Sequence, residues 1–511
     1  MAKYKIISIG ILFVVLLIPR IYRLEQMPPH LSNDEISIAY DAYSMAFSGR
    51  DEHNIPLPIS FLSNGIYKAP LYSYMLAPIV FGMGNNNTAA RMPSVLSGII
   101  TILGIFVLTR KFFANKTIAW FTAGALMISP WHIVVSRMVL ESNLALMFVI
   151  WGLVLFFRNK RTLSALFFGL SMYAYHTEWI LVPIIGIFLA YRYKAKIFIL
   201  MLLLMMIPLG WDYWSHVGSG SRANTEVIWK DPIIEAEIRK QNGFMGKGVS
   251  LISAITINYF QYTNPGRLFG SGLGLFRDPF PFQQGLFVII MIVPMTYGIR
   301  FITTYIKNKY LWFFVIWFLA STGIAALTTR GNHIRDLVAI LPYVMLLGIG
   351  INIIFRKSKT VFVIFLILTL GEFGFFNAIY QNYYPKVIAE SYQGYRPIAE
   401  FIENNYTSYD QFVIDDRFGN INQYIGVPHL YIAFYNRLGP GLLQWRSAGG
   451  NFGKINVRSI HWDMNKPDRR SIYIVGVGNS PGSEVKENLI LEKGITDLAG
   501  NPAFEIWKLR E

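Results

Sequence analysis

Residues 31–49 read LSNDEISIAYDAYSMAFSG and directly follow an apolar segment at the start of the chain. Ser32, Asn33 and Asp34 are residues that start helices. Gly49 is a residue that ends them, so the stretch predicts a helix of about four turns. Two adjacent carboxylates then lie close to an apolar segment. Because ionisable groups near hydrocarbon are expensive, they are usually paired or functional, and the rest of the chain is interpreted around this helix.

The two carboxylates of this helix are predicted to have different roles. Ser32 and Glu35 have the spacing of a capping box, in which the Glu35 carboxylate accepts a hydrogen bond from the free amide at the helix start. Asp34 points about 100° away around the helix, so the cap does not use it. Asp34 is therefore the predicted reactive carboxylate.

The composition of the chain is that of an integral membrane protein. Its 511 residues are 53% hydrophobic and 15% charged, with a mean hydropathy of +0.39. The absence of cysteine excludes disulfides and thiolate metal sites. The net charge of +16 does not predict a nucleic-acid partner, because the basic residues mark separate loops and form no single patch. The first apolar run, residues 6–18, lacks a small-x-small cleavage site and is interpreted as a retained span.

The hydropathy pattern predicts a polytopic α-helical membrane protein with about eleven spans, since apolar runs of about 20 residues recur. Two of the predicted spans, 162–175 and 178–191, are too short for a full crossing at about 1.5 Å per residue. The predicted spans cover residues 6–23, 89–109, 117–135, 139–157, 162–175, 178–191, 197–213, 285–306, 310–328, 334–355 and 360–379.

The orientation follows from the connections between spans. Alternate connections carry clusters of Lys and Arg without acids, which are typical of cytoplasmic loops. A multi-pass protein of the cell membrane is therefore predicted, with a cytoplasmic N-terminus and with loops 24–88 and 214–284 facing outward. The basic clusters are Lys3 and Lys5; Arg110, Lys111 and Lys116; Arg158, Lys160 and Arg161; Arg192, Lys194 and Lys196; Arg300, Lys307 and Lys309; and Arg356, Lys357 and Lys359.

Two domains are predicted, a transmembrane domain at 1–380 and a small extracytoplasmic α/β domain at 381–511, here called the tail. Within the tail, residues 411–415, 471–475 and 504–508 have the composition of strands, and residues 398–405 that of a helix. Such alternation is typical of an α/β fold.

The predicted outward side collects ionisable residues from many separate turns. Carboxylates with scattered cations suit a site that binds an anionic group and deprotonates a hydroxyl, because Arg and Lys bind phosphate through charge-assisted hydrogen bonds. Alternative interpretations are a surface pair between Arg137 and Glu141, and mutual pairing of His176 and Glu178 instead of cavity lining. The set comprises Asp34, Glu35, Lys68, Arg91, Arg137, Glu141, His176, Glu178, Arg330, His333, Arg335 and Asp336.

Most of these residues belong to five motifs, which in chain order are Asn33-Asp34-Glu35, Lys68-Ala69-Pro70-Leu71, Arg91-Met92-Pro93-Ser94, Arg137-x-x-x-Glu141 and His333-Ile334-Arg335-Asp336. The order of the motifs resembles the GT-C glycosyltransferases of the protein O-mannosyltransferase and lipid A aminoarabinose transferase type. The resemblance covers about the first 380 residues. The chain departs from it at 333–336, where an Arg-Tyr pair is common, and in the tail, which differs from the carbohydrate-recognition insertions of eukaryotic protein mannosyltransferases and favours a prokaryotic relative.

The resemblance implies an inverting transfer of a sugar from a polyprenyl-phosphate donor to a hydroxyl of a lipid, glycan or protein acceptor at the outer face of the membrane. Asp34 would be the general base, with Glu141 as the second catalytic candidate. No cofactor is required, although a divalent metal is compatible with the carboxylates, and no nucleic-acid partner is expected. Donor phosphate would be bound by Lys68, His333 and Arg335, and the cavity candidates are Glu35, Arg91, Arg137, His176 and Glu178.

Three other functions fit parts of the pattern. A transporter or flippase of lipid-linked sugars would place charges deep in several helices and often contain inverted repeats, whereas the charges here gather at one rim and no repeat is evident. A polymerase or ligase of envelope polysaccharide would use the same chemistry on a different acceptor. A structural scaffold for the tail would leave Asp34 without a role.

Overall fold

The computed structural model describes residues 14–63, 66–215, 227–241, 243–272, 284–304, 309–328, 333–387, 394–418, 424–425, 427–444, 451–463 and 467–510. The chain forms two compact units. The helical unit comprises Met1–Tyr22, Ile59–Tyr72 and Pro93–Ile379, and the mixed unit comprises Arg23–Pro58, Ser73–Met92 and Tyr380–Glu511.

The helical unit consists mainly of apolar helices. It also contains a short antiparallel hairpin, Phe61–Ser63 with Ile66–Lys68, and residues 14–21 of the first predicted span are helical. The helices that lie wholly or mostly in this unit are Asn87–Phe113, Lys116–Met127, Pro130–Val135, Glu141–Phe157, Arg161–Ala174, Glu178–Tyr193, Lys196–Ser215, Pro232–Lys240, Gly243–Thr263, Ile292–Thr304, Lys309–Ala326, Ile340–Lys357 and Lys359–Asn382.

Several of these helices can cross a membrane. Within the described ranges, four have the length and apolar composition of a span, and four shorter apolar helices accompany them. Helices Arg161–Ala174 and Glu178–Tyr193 have 14 and 16 residues, so two short helices lie where the two short spans are predicted. A polytopic helical protein is thus confirmed, while the count of eleven stays a prediction. The four long helices are Asn87–Phe113, Lys196–Ser215, Leu337–Lys357 and Lys359–Lys386.

Glycine lets three of these helices pack closely. Helix Ile340–Lys357 contacts both Lys116–Met127 and Ile292–Thr304. A Cβ atom at Gly348 would collide with Thr122, and one at Gly350 would collide with the carbonyl oxygen of Pro294. Small residues at such contacts allow helix backbones to approach each other inside a membrane, where association depends on packing.

The mixed unit contains a six-stranded sheet. Strand Gln411–Ile414 pairs in parallel with Ile455–Val457 on one side and Ser471–Gly476 on the other. The outer pairings are antiparallel. The strands in spatial order are Asn451–Phe452, Ile455–Val457, Gln411–Ile414, Ser471–Gly476, Pro502–Leu509 and Leu489–Thr496.

Helices accompany this sheet in the mixed unit. Strands occur at all three positions predicted for the tail, and the predicted helix 398–405 is Tyr395–Asn405. The core beside the sheet includes Val413, Tyr473 and Trp507. The other helices of the unit are Asn33–Ser48, most of Leu71–Met83, Tyr384–Val387, Pro428–Tyr435, Pro440–Gln444 and Ser483–Lys486, and a two-stranded ladder joins Arg417–Phe418 to Tyr424–Ile425.

The compact units group parts of the predicted outward loop 24–88 with the tail, and the domain ranges 1–380 and 381–511 stay a prediction. The contacts are specific. The Tyr435 hydroxyl donates to Asn87 Oδ1 over 2.8 Å, and Arg396 Nη1 lies 2.7 Å from Glu25 Oε1. Such long-range polar contacts leave no periodic signal in the sequence, so the hydropathy pattern could not predict this grouping.

Candidate functional site

The helix Asn33–Ser48, here called the acidic helix, begins with the predicted capping box. The Ser32 amide donates to Glu35 Oε2 over 2.8 Å, and the Glu35 amide donates to Ser32 Oγ over 3.4 Å. The helix ends at Gly49, whose φ of 67° is one that glycine adopts at no steric cost. Glu35 is buried, whereas Asp34 is half-buried. The predicted cap formed by Ser32 and Glu35 is therefore confirmed, and the reactive role of Asp34 stays a prediction.

Arg91 holds the segment that leads into the acidic helix. Its guanidinium is fully buried and donates to the carbonyl oxygens of Leu24 and His30 over 2.7 and 3.0 Å. Burial, aided by the charge of Arg91, lowers the pKa of His30 to about 3, so His30 is neutral at physiological pH. Arg91 was predicted as a cavity residue, and the structure gives it a positioning contact with the backbone before Asp34.

Tyr431, from the tail, holds the same segment, and sequence reasoning did not single it out. Its hydroxyl donates to the carbonyl oxygen of Leu31 over 2.7 Å. Its ring stacks on that of Tyr395, with centroids 4.5 Å apart and planes 14° from parallel. Tyr431 and Leu31 lie 400 residues apart in sequence. A single aromatic residue in a short helix gives no sequence signal of such a contact. A residue of the tail thus fixes the backbone three residues before Asp34.

Replacing Tyr431 by phenylalanine is expected to destabilise the mixed unit. The Leu31 carbonyl loses this donor in a buried environment, which costs about 1–3 kcal/mol of unfolding free energy. Tyr409→Phe is the matched control, because the Tyr409 hydroxyl makes no hydrogen bond within the described residues. Thermal unfolding of the two purified variants measures the difference. Equal melting temperatures would contradict the assignment.

In the helical unit, two segments next to predicted residues meet at Ser94. The Tyr72 hydroxyl lies 3.1 Å from Ser94 Oγ, the Leu140 amide donates to the same oxygen over 3.3 Å, and Asn143 Nδ2 donates to the Ser94 carbonyl over 2.8 Å. These bonds join the segment after Lys68 to the start of the helix that begins with Glu141. Ser94 therefore positions these segments. It was named from the sequence only within the motif Arg91-Met92-Pro93-Ser94 and was given no role.

Lys68 and Glu141 are both buried in the helical unit, with 2% and 7% of their surfaces exposed. Lys68 ends the second strand of the hairpin and pairs with Phe61 across it. Glu141 is the first residue of its helix, where the dipole of the helix favours a negative charge. Charges in a buried environment interact more strongly than in water. Both side chains are therefore suited to stabilising an opposite charge on a bound ligand.

The interpretation of Arg137 and Glu141 as an exposed pair on one helix is wrong. Arg137 is fully buried and donates to the Pro19 carbonyl. Helix Pro130–Val135 ends before it, and the next helix begins at Glu141. The neighbouring Arg20 is also buried and donates to the Met127 carbonyl over 2.9 Å. The guanidinium groups of Arg20 and Arg137 thus donate to backbone carbonyl oxygens.

His176 and Glu178 occupy the tight turn between the two short helices. The His176 ring lies 5.1 Å from that of Trp179. Glu178 opens its helix and is 1% exposed, and its Oε2 has no hydrogen-bond partner within the described residues. Cavity lining for these two residues stays a prediction.

His333 packs among aromatic side chains of the helical unit. It is fully buried, and its Nδ1 lies 3.2 Å from Asp336 Oδ1. The rings of Trp131 and Tyr262 approach it edge-on at 5.6 and 5.4 Å. Arg335 is half-buried, and the phosphate contacts of His333 and Arg335 stay predictions. Arg330 lies outside the described residues.

The structure thus places the predicted residues in two groups, with Asp34, Glu35 and Arg91 in the mixed unit and Lys68, Arg137, Glu141, His176, Glu178, His333 and Arg335 in the helical unit. Within the described ranges, no cluster of three or more His, Cys, Asp or Glu side chains could hold a metal ion. A divalent metal therefore stays an untested prediction.

Comparison with known proteins finds one matching protein family and several solved structures of similar fold. Residues 67–214 match the family described as dolichyl-phosphate-mannose-protein mannosyltransferase, and this match includes Lys68 and Glu141. No curated protein matches the sequence. Two crystal structures of ArnT from Cupriavidus metallidurans, apo and bound to undecaprenyl phosphate, align at 12% identity with TM-scores of 0.57 and 0.59. They cover 99% of this chain and 98% of ArnT.

A third structure extends the comparison. The apo oligosaccharyltransferase of Archaeoglobus fulgidus aligns at 11% identity with a TM-score of 0.52, over 85% of this chain and 64% of its own. At such identities the likeness concerns the fold, and these relatives share the GT-C fold. The resemblance drawn from the sequence motifs is therefore confirmed: the chain has the fold of the GT-C membrane glycosyltransferases.

Proposed function

We propose that the protein is an inverting glycosyltransferase that moves a sugar from a polyprenyl-phosphate donor to an acceptor hydroxyl at the outer face of the membrane. The observation that carries the proposal is the start of the acidic helix. Ser32 and Glu35 make the two hydrogen bonds of the capping box, and the half-buried Asp34 lies beside them and is not a member of the box. We assign the reactive role to Asp34.

In the proposed reaction Asp34 acts as the general base. Its carboxylate takes the proton of the acceptor hydroxyl while the hydroxyl oxygen attacks the anomeric carbon and the bond from that carbon to the phosphate oxygen breaks. General-base help of this kind is typically worth about 10²–10⁴-fold in rate. Arg91 and Tyr431 support it indirectly, because they fix the backbone that leads to Asp34.

Cations of the helical unit would stabilise the leaving polyprenyl phosphate. Lys68 is the main candidate, since a buried ammonium placed where negative charge develops lowers the barrier by electrostatic stabilisation. Arg335 is the second. The proposal is supported by ArnT, whose fold this chain shares and one of whose structures contains undecaprenyl phosphate. Glu141 is the second carboxylate that we propose to take part in the reaction.

The alternatives differ in what they do with the donor. A transporter or flippase would release the lipid-linked sugar intact, whereas the relatives in fold are transferases. A polymerase or ligase of envelope polysaccharide is the same reaction with a glycan acceptor, so it remains within the proposal. Lipid, glycan and protein acceptors all supply the required hydroxyl.

The proposed function is tested with the purified full-length protein, a polyprenyl-phosphate sugar and a set of acceptors. Polyprenyl phosphate should be released in step with glycosylated product, and NMR should find the opposite anomeric configuration in the product. Release without product, or transfer with retained configuration, would refute the mechanism.

The proposed orientation has its own test, because the chain contains no cysteine and single cysteines can be introduced cleanly. Ser483 and Thr304 are both exposed, in the tail and beside a predicted cytoplasmic connection. In intact cells an impermeant thiol reagent should label Ser483→Cys and leave Thr304→Cys unlabelled until the membrane is opened. Labelling of Thr304→Cys alone would reverse the orientation.

A further inference from the structure

A cavity of about 280 Å³ lies where two helices of the helical unit end together, Asn87–Phe113 and Glu141–Phe157. The helices pack closely one turn below it. A Cβ atom at Gly104 would lie 2.8 Å from the side chain of Ile150, and the Trp151 indole donates to the Ile100 carbonyl over 3.0 Å. The cavity is thus a fixed opening between well-packed helices.

The wall of the cavity is apolar and its rim is basic. Phe106, Val107, Val154 and Phe157 belong to the wall, and the Phe157 ring packs edge-on against Phe112 with ring centroids 4.8 Å apart. The rim carries Arg110, Lys111 and Arg158.

The three rim cations have no partner within the described part of the chain. All three are exposed, and none forms a side-chain hydrogen bond or an ion pair with a described residue. Nearby Arg161 differs, because its guanidinium lies 3.7 Å from the centre of the Phe156 ring and donates to the Phe156 carbonyl over 2.6 Å. The rim is therefore a concentration of positive charge that no described side chain neutralises.

Part of this charge balances the two helix ends. Each helix C-terminus carries about half a negative charge, which together offset about one of the three positive charges. The remaining excess, about two charges, favours an anion. The apolar wall of the cavity below this rim also accommodates a hydrocarbon chain. Anionic lipids have both features, and among them anionic phospholipids are the class that basic pockets on the cytoplasmic side of membrane proteins bind.

We infer that this basic-rimmed cavity binds an anionic phospholipid, with the phosphate held by Arg110, Lys111 and Arg158 and an acyl chain against Phe106 and Val107. This site is separate from the proposed donor site, whose Lys68 does not line it. Basic pockets between membrane helices on the cytoplasmic side are known to take such headgroups, and the rim residues belong to clusters predicted to face that side.

The test is lipid binding by the purified full-length protein, measured by native mass spectrometry with phosphatidylglycerol against phosphatidylcholine. The variant Arg110→Gln/Lys111→Gln/Arg158→Gln should bind phosphatidylglycerol at least about tenfold more weakly, because each cation near a phosphate is worth about fivefold. The control Lys160→Gln/Lys194→Gln/Lys196→Gln removes the same charge from residues outside the cavity and should change binding less than threefold. An equal loss in both variants would overturn the proposal.

A second variant tests the apolar wall without a change in charge. Val107→Trp fills the cavity and should also weaken phosphatidylglycerol binding, and it decides the case if the triple variant fails to fold. Inorganic phosphate should not displace the lipid, because it cannot occupy the apolar part of the cavity. Displacement by phosphate alone would identify a simple anion site, and unchanged binding by Val107→Trp would place the lipid elsewhere. Either result refutes the inference.

Discussion

Replacing Asp34 by asparagine is expected to reduce the rate of sugar transfer by about 10²–10⁴-fold, the usual contribution of a general base. Asparagine keeps the shape and loses the ability to accept a proton. Because Asp34 is not part of the capping box, the variant should fold and bind donor normally. Single-turnover kinetics with the purified protein would measure the chemical step directly.

The neighbouring residue supplies the matched control. Glu35→Gln should keep most of the transfer rate and lower the free energy of unfolding by about 1 kcal/mol, because it weakens the bond to the Ser32 amide that completes the cap. A near-normal rate in Asp34→Asn would show that the wrong carboxylate has been assigned. A larger rate loss in Glu35→Gln than in Asp34→Asn would identify Glu35, and not Asp34, as the general base.

Replacing Lys68 by alanine is expected to weaken the use of donor and leave the use of acceptor almost unchanged. A charge-assisted hydrogen bond is worth about 1.5–3 kcal/mol, which corresponds to about 10- to 150-fold in kcat/KM for the donor. Lys230→Ala is the control, since Lys230 is an exposed lysine of the same unit.

The partner of Lys68 in this task can be identified by a double-mutant cycle. If Lys68 and Arg335 bind the same phosphate, the losses from Lys68→Ala and Arg335→Ala should not add. Additive losses would mean that the two cations act at separate places. A donor dependence unchanged in Lys68→Ala would remove that residue from the site.

The features that the sequence predicted well are local. The capping box depends on two residues three positions apart, and the bounds of the acidic helix follow from its cap and from Gly49. The short lengths of helices Arg161–Ala174 and Glu178–Tyr193 follow from runs of apolar residues. Each of these signals is complete within a few turns of chain.

The features that escaped prediction depend on residues far apart. The bond from Tyr431 to Leu31 joins positions 400 residues apart, and the bonds that meet at Ser94 join three separate segments. His333 was selected by its place in a motif, but its burial against Trp131 and Tyr262 comes from tertiary packing. Hydropathy and motif spacing contain no information on such contacts.

The class of donor tests the central claim most directly. The measurement is the initial rate of transfer by the purified protein, with the same sugar offered either on polyprenyl phosphate or on a nucleotide and with Asp34→Asn as the blank. We expect turnover with the polyprenyl-phosphate sugar alone, at a rate that rises with donor concentration and is nearly abolished in the blank. Turnover of the nucleotide sugar, or equal rates in wild type and Asp34→Asn, would contradict the account.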